Sequence, residues 1–178
     1  AGSGYVETSA LIDTTDRYLA DIAASGWFQQ DGSDYIATIS AIENVVNIAA
    51  VTGSGLNQSG ALGTVEGLPI SQPSDIALVD RLSETLIFVS AFGTSSLSTV
   101  QVSAGAPTLA DHIFDAEHTR FQGANSLTAV THGDFAFVAI GGAEGGISLL
   151  TALPGGRLVH LDSLADDCDS PVQKERHF

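Results

Sequence analysis

The feature that most constrains the fold of this chain is an order of local patterns that recurs at a long spacing. Each unit runs through a strand, a polar turn, a buried strand, a Gly-rich loop, a third strand, a Pro/Gly turn and a fourth strand. Two Phe-Gln pairs, at Phe28 and Phe121, lie 93 residues apart. This distance corresponds to two units of about 46 residues, and about 46 residues is a usual length for one four-stranded β-propeller blade. A β-sandwich, the alternative fold, gives no reason for such a spacing.

Short apolar runs mark the individual strands. Residues 86–91 and 135–140 are continuous apolar runs followed by Gly, which is typical of central strands buried on both faces. Residues 97–102 and 158–161 mix polar with apolar side chains and are predicted to be half exposed. Helical periodicity is found in residues 15–25, enough for one short helix. We therefore predict an all-β fold of about three to four antiparallel, four-stranded propeller blades.

Large aromatic side chains are the expected anchors of the core. Phe88 and Phe137 both open a Phe-Val-x-x-x-Gly pattern, so we expect them to be deeply buried at corresponding positions. Trp27, Phe28 and Phe121 are predicted to pack between blades as apolar anchors. A carbohydrate-stacking platform built on Trp27 is the functional alternative.

The predicted blade units are residues 28–70, 71–118 and 119–167, and residues 168–178 form a polar tail outside the repeat. A propeller generally needs about four to eight blades to close its ring. An open arc of fewer blades leaves strand edges that invite pairing with another chain. We therefore expect a partial propeller completed by association, either as a homo-oligomer or with a companion segment of a larger protein.

The charge of the chain limits its partners. It has 21 acidic and six basic residues, a formal net charge of -15, which repels nucleic acid and anionic membrane surfaces. No apolar run approaches the roughly 18 residues needed to span a bilayer. The acidity suits a salty or extracellular medium, and the lone Cys168 allows no intrachain disulfide. A secreted location is the expectation, with a cytosolic origin left open.

Candidate chemistry is sparse. The carboxylates of Asp162, Asp166, Asp167 and Asp169 could offer oxygen ligands to a hard cation such as Ca²⁺. Their spacing matches no EF-hand or nonapeptide template, so a solvated loop is the alternative. The sequence contains neither a GxSxG nor an HExxH motif, and no catalytic residue is predicted.

The last predicted unit supports a more specific comparison. Its segments 119–123, 127–130, 135–150 and 153–167 resemble the blade repeat of secreted RTX-type (haemolysin-type calcium-binding) proteins of marine alphaproteobacteria. The resemblance implies an extracellular propeller module. In that family calcium is bound by separate Gly/Asp nonapeptide repeats, which this sequence lacks, so calcium binding is not implied.

Three functions follow as hypotheses. The leading one is a non-catalytic extracellular binding or assembly module built from propeller blades. The second is a lactonase-like propeller hydrolase that uses a divalent cation, with Glu43, Asp80 and Asp134 as carboxylates that could meet in a central channel. The third is a structural spacer of a larger secreted protein. Propellers host many unrelated functions, so the fold alone does not choose among them.

Overall fold

The computed structural model describes residues 10–81 and 84–166. These residues form twelve β-strands and no helix, and so contain no helix that could cross a membrane. The strands are β1 (Ile22–Gln30), β2 (Ser33–Ser40), β3 (Val45–Thr52), β4 (Gly55–Leu62), β5 (Pro73–Arg81), β6 (Glu84–Ala91), β7 (Ser96–Ser103), β8 (Ala106–Phe114), β9 (Ala124–His132), β10 (Phe135–Gly142), β11 (Ile147–Ala152) and β12 (Leu158–Leu164).

Consecutive strands pair antiparallel in three separate sheets of four. We name them the first sheet (β1 to β4), the second sheet (β5 to β8) and the third sheet (β9 to β12). Within each sheet the spatial order of the strands is their order along the chain, as in a propeller blade. The prediction of an all-β protein made of four-stranded antiparallel blades is confirmed.

The structural repeat is longer than the sequence pattern predicts. The first strands of the sheets begin at Ile22, Pro73 and Ala124, so one unit is 51 residues long. The predicted spacing of about 46 residues is therefore wrong, although it lay within the usual range for a blade. Phe28 lies inside β1 whereas Phe121 precedes β9, so the two Phe-Gln pairs are not equivalent. The predicted unit boundaries stay a prediction.

Two β-bulges recur at the same places in every sheet. The third and fourth strands change register directly after Ile48, Thr99 and Leu149. A second change of register lies near the start of each first strand. A bulge bends and twists a strand pair, so its repetition gives the three sheets a common shape. Residues at the same distance from a bulge or strand end are called equivalent below.

Neighbouring sheets stack face to face, and each contact buries its own core. Phe28, Ile48 and Val89 belong to the core between the first and second sheets. Phe88 and Val138 belong to the core between the second and third sheets. Within the described residues the sheets do not close into a ring.

The predicted helix over residues 15–25 is wrong. Residues 15–17 form a turn, and β1 begins at Ile22. Tyr18 and Asp21 have φ angles of 37° and 50°, in the left-handed region that breaks a right-handed helix. Pairing of β1 with β2 overrides the weak helical pattern of this stretch.

Burial differs from the expectation at two aromatic residues, Phe137 and Trp27. Phe88 is fully buried, as predicted, but Phe137 is only partly buried. The two are not at corresponding positions, because the equivalent of Phe88 in the third sheet is Ala139. Phe28 is buried, while Trp27 is 55% exposed and is not an anchor between blades.

Burial of whole strands also depends on neighbouring sheets. Strand β7 is buried over most of its length, although its mixed pattern predicts half exposure, because it lies in the middle sheet with a neighbour on either side. Strand β10 alternates between buried and more exposed residues, although its continuous apolar run predicts burial on both faces. The burial of a strand can thus be predicted from its sequence pattern only when the sheets on both of its sides are known.

Candidate functional site

The third sheet has an apolar side that no other sheet covers in the part of the chain that the structure describes. Two of its side chains, Val130 and Leu164, are 61% and 67% exposed. A shallow depression of about 170 Å³ lies on this side. We define the outer face as the following residues: Val130, Phe137, Ala139, Ile147, Leu149 and Leu164.

Equivalent positions in the other two sheets form the cores between sheets. Leu62 in the first sheet is equivalent to Leu164 and is buried. Phe28 and Val79 are equivalent to Val130, and both are buried against the following sheet. The outer face therefore has the composition of a core without a sheet packed on it.

In the first and second sheets, the last residue of the first strand donates a side-chain hydrogen bond to the next sheet. Gln30 Nε2 donates to the carbonyl oxygen of Val102 at 2.8 Å. Arg81 Nη1 donates to the equivalent carbonyl, that of Ala152, at 2.6 Å. His132 ends β9 at the same position and is exposed. Its imidazole N–H is a donor group, so the third sheet has a donor at the position that links the other sheets, beside its apolar surface.

The fourth strands of the second and third sheets carry a matching acceptor. Asp111 accepts from the backbone N–H of His112 at 2.9 Å through Oδ1, and through Oδ2 from that of Leu158 in the third sheet at 2.7 Å. Asp162 is equivalent to Asp111, and its Oδ1 accepts from Ser163 N at 2.9 Å. Among the described residues its Oδ2 has no partner, so Asp162 can accept one more N–H from a following sheet.

The predicted metal ligands fall partly outside the described residues. Asp162 lies in β12 and Asp166 follows that strand, and both are exposed. Asp167 and Asp169 lie outside the described residues, as does the predicted polar tail 168–178. Residues 10–81 and 84–166 contain no group of three or more His, Cys, Asp or Glu arranged to hold a metal ion. Calcium binding by the four carboxylates stays a prediction.

The three carboxylates named for a hydrolase are not brought together. Glu43 lies in the turn between β2 and β3, where it accepts from Ala20 N at 3.1 Å. Asp80 accepts from Thr85 Oγ1 at 2.9 Å beside the turn from β5 to β6, and Asp134 lies in the turn from β9 to β10. Those two turns lie at the opposite end of the sheets from the β2–β3 turn, since successive turns of a meander alternate ends.

One histidine has a perturbed titration. The Nδ1 atom of His112 lies 2.8 Å from Ser98 Oγ, and its ring contacts Phe114 edge-on at a centroid distance of 4.6 Å. Burial lowers the pKa of His112 below its ordinary value, and the charge of Asp111 acts in the opposite direction. The imidazole is therefore neutral near pH 7 and is held within the second sheet.

The outer face was not recognised from the sequence, although a signal for it exists. Asp111 and Asp162 are 51 residues apart, as are Arg81 and His132. A repeat search at that spacing aligns these pairs and shows Leu164 falling on Ile113, a residue packed against the second core. The Phe-Gln match at a different spacing hid this alignment.

Comparisons with known proteins bear on the fold. No family model and no curated protein matches this chain. A crystal structure of a protein from Lactobacillus plantarum, a structural genomics target, is similar at a TM-score of 0.64 and 16% sequence identity. The match covers 93% of this chain and 49% of that one, so the chain spans about half the length of that protein. The similarity supports the β-propeller fold of the three sheets.

Proposed function

We propose that this chain is a non-catalytic binding or assembly module whose outer face binds a further propeller blade. The observation that carries the proposal is the equivalence between the outer face and the two buried faces of the preceding sheets. Leu149 is 39% exposed, whereas Ile48 and Thr99, its equivalents, are fully buried under a following sheet. Burying such apolar surface is worth about 25 cal/mol per Å², which favours a partner of the same shape.

The polar groups at the edges of the outer face define the partner further. A following blade would place a backbone carbonyl opposite His132, as Ala152 O lies opposite Arg81. It would also place a backbone N–H opposite Asp162, as Leu158 N lies opposite Asp111. The third strand of a blade supplies the carbonyl, and its fourth strand supplies the N–H. A four-stranded blade therefore supplies a partner for both groups.

The blade is proposed to belong to a companion segment of a larger protein and not to a second copy. A second copy joined head to tail would bring the outer side of its first sheet, which residues 10–21 cross. Asn47 Nδ2 donates to Tyr18 O at 2.6 Å and Gln58 Nε2 to Asp16 O at 3.2 Å, so this segment is fastened there. The greater length of the similar Lactobacillus plantarum protein is consistent with additional blades.

The extracellular location is part of this proposal and is supported by the composition. Six basic against 21 acidic residues give a surface suited to a salty medium. The resemblance of the third unit to RTX-type blade repeats also supports an extracellular location.

An extended chain tests the proposal. A second copy of residues 116–166, inserted directly after Asp166, continues the 51-residue repeat in register and supplies a fourth blade. Its inner face carries the apolar residues that already pack on the second sheet, such as Val138 and Leu150. We expect the inserted blade to dock and to raise the Tm of the protein by at least about 5 °C.

The matched control is the same extended chain with Ile147→Lys and Leu149→Lys in the original third unit, which should lose the gain in Tm. A fourth blade that stays unfolded, with no change in Tm, would contradict the proposal. Light scattering on the 178-residue chain distinguishes a companion segment from a second copy as the partner of the outer face. A monomer is expected, and a dimer that Leu149→Lys dissociates would assign the outer face to a second copy instead.

A further inference from the structure

A cavity of about 240 Å³ lies at the other end of the arc, between the first sheet and residues 10–21, the N-terminal segment. Its walls are mostly apolar, and both the N-terminal segment and the first sheet contribute to them. Leu11 and Leu19 belong to the N-terminal segment, and Ile22, Ile36 and Leu56 belong to β1, β2 and β4. Small-molecule sites are typically concave, mostly apolar and equipped with a few polar groups.

Two polar side chains that line this cavity each have an oxygen without a hydrogen-bond partner in the described part of the chain. Thr38 and Asn47 face each other across β2 and β3. The Asn47 side chain is 3% exposed, and its Nδ2 donates to Tyr18 O, which fixes the orientation of the amide. Within the described residues, Asn47 Oδ1 and Thr38 Oγ1 are buried and have no hydrogen-bond partner. A buried polar atom without a partner is unfavourable, so a bound molecule that hydrogen-bonds to these two atoms would remove that cost.

The equivalent positions in the other sheets have no such groups. Val89 and Ile140, the equivalents of Thr38, are apolar and buried against a neighbouring sheet. Ser98 and Ser148, the equivalents of Asn47, have partners, namely His112 Nδ1 at 2.8 Å and Ser163 Oγ at 2.9 Å. The polar pair is thus a feature of the first sheet and not a requirement of the blade.

A cation completes the lining. Arg17 is exposed and lines the cavity, and no ion pair of its guanidinium occurs among the described residues. The chain carries 21 acidic residues against six basic ones, so an unpaired guanidinium at a cavity is a local exception to its charge. Arginine binds carboxylates through charge-assisted hydrogen bonds.

We propose that this cavity binds a small organic acid with an apolar body and a hydrogen-bond donor remote from the carboxylate. The apolar body contacts Leu19, Ile36 and Leu56. The donor is a hydroxyl, which donates to Asn47 Oδ1 and accepts from the neighbouring Thr38 hydroxyl. The carboxylate pairs with Arg17. This site is separate from the outer face of the third sheet and does not depend on its function.

Three linear compounds test the assignment on the 178-residue chain by nuclear magnetic resonance titration at pH 7. The probe 6-hydroxyhexanoate has the carboxylate and the donor, hexanoate lacks the donor, and 1,6-hexanediol lacks the carboxylate. We expect 6-hydroxyhexanoate to bind at least about fivefold more tightly than either comparison compound, since each lost hydrogen bond is worth about 1 kcal/mol or more. Shifted resonances should map to the first sheet.

Two variants localise the binding. Thr38→Val installs the residue that the second sheet has at this position, so the fold should persist while affinity for 6-hydroxyhexanoate falls about fivefold. Arg17→Gln should lower it about tenfold and leave 1,6-hexanediol unaffected. The matched controls are Thr131→Val and Arg157→Gln, which exchange exposed residues of the third sheet and its neighbouring turn.

Two results would overturn the proposal. One is equal or undetectable binding of all three compounds. The other is a high-resolution structure with the probe in excess, in which ordered waters satisfy Asn47 Oδ1 and Thr38 Oγ1 and the probe does not displace them.

Discussion

The first and third sheets, at the two ends of the arc, have the same blade topology but differ in the side chains on their outer sides. On the outer side of the first sheet, Thr38 and Gln58 replace the apolar Val89 and Leu109 of the second sheet, and the N-terminal segment crosses the surface. The outer face of the third sheet keeps the apolar residues of a core and has nothing over it among the described residues. A blade position is therefore polar or apolar according to the neighbour it meets, and the third sheet is suited to a neighbour.

The largest expected effect on the free energy of unfolding is a difference between a substitution in the interior of the arc and one at its open end. Phe88→Ala removes a fully buried ring from the core between the second and third sheets and should lower the free energy of unfolding by about 3–5 kcal/mol. Phe137→Ala, on the partly buried outer face, should cost less than half as much. Denaturant unfolding measures both. Equal losses at the two positions would show that the outer face is already covered.

A smaller effect is expected for the polar connections between sheets. The Arg81 guanidinium is buried and donates to Ala152 O at 2.6 Å, Leu153 O at 3.0 Å and Glu84 Oε2 at 3.1 Å. Arg81→Met leaves these acceptors unpaired and should cost about 3 kcal/mol. His132→Ala, the equivalent change at the open end, should stay within about 0.5 kcal/mol. A large loss at His132 would mean that its partner is present within the chain.

The pH dependence of stability offers a third comparison. Burial lowers the pKa of His112 in the folded protein, so between its folded and unfolded pKa values the unfolded chain binds the proton and the folded chain does not. The free energy of unfolding should therefore be undiminished above the ordinary histidine pKa of about 6.5 and fall as the pH decreases below it. His112→Gln should flatten this part of the profile. A stability that rises on acidification through this range, and does so only with His112 present, would contradict the assignment.

The smallest effect is expected on the outer face itself. Leu164→Ser replaces a side chain that is 67% exposed and should change the free energy of unfolding by no more than about 0.5 kcal/mol. Leu62→Ser, the same change at the buried equivalent position, serves as the control and should cost several times more. Thermal or denaturant unfolding of the two variants side by side distinguishes them, and similar losses would remove the difference between the two sheets.

Apolar runs were sufficient to locate the inner strands, because β-branched and aromatic residues are common in strands such as β6 and β10. Strand β4, with the sequence GLNQSGAL, has almost no such signal and is formed by pairing with β3. The repeat length was missed because the sheets share bulges and turn geometry far more than residue identities. The bulges and turns are determined by backbone pairing between strands, which can be inferred only indirectly from a single sequence.

The candidate site was less accessible from the sequence than the fold. Asp162 stood out only as part of an acidic cluster, because its likeness to Asp111 depends on the 51-residue alignment. Exposure of Leu149 follows from the absence of a following sheet in the described residues, which no local pattern encodes. The polar pair Thr38 and Asn47 has an ordinary strand sequence, and its lack of partners is visible only in three dimensions.

The most direct test of the central claim is the accessibility of position 149 with and without a fourth blade. In a Cys168→Ser background, Leu149→Cys introduces a single thiol whose rate of maleimide labelling can be measured, with Thr99→Cys as the buried reference. The account predicts fast labelling of position 149 in the 178-residue chain and strong protection, approaching that of position 99, in the chain extended by residues 116–166. Equal, fast labelling of position 149 in both chains would contradict the assignment of the outer face to a blade.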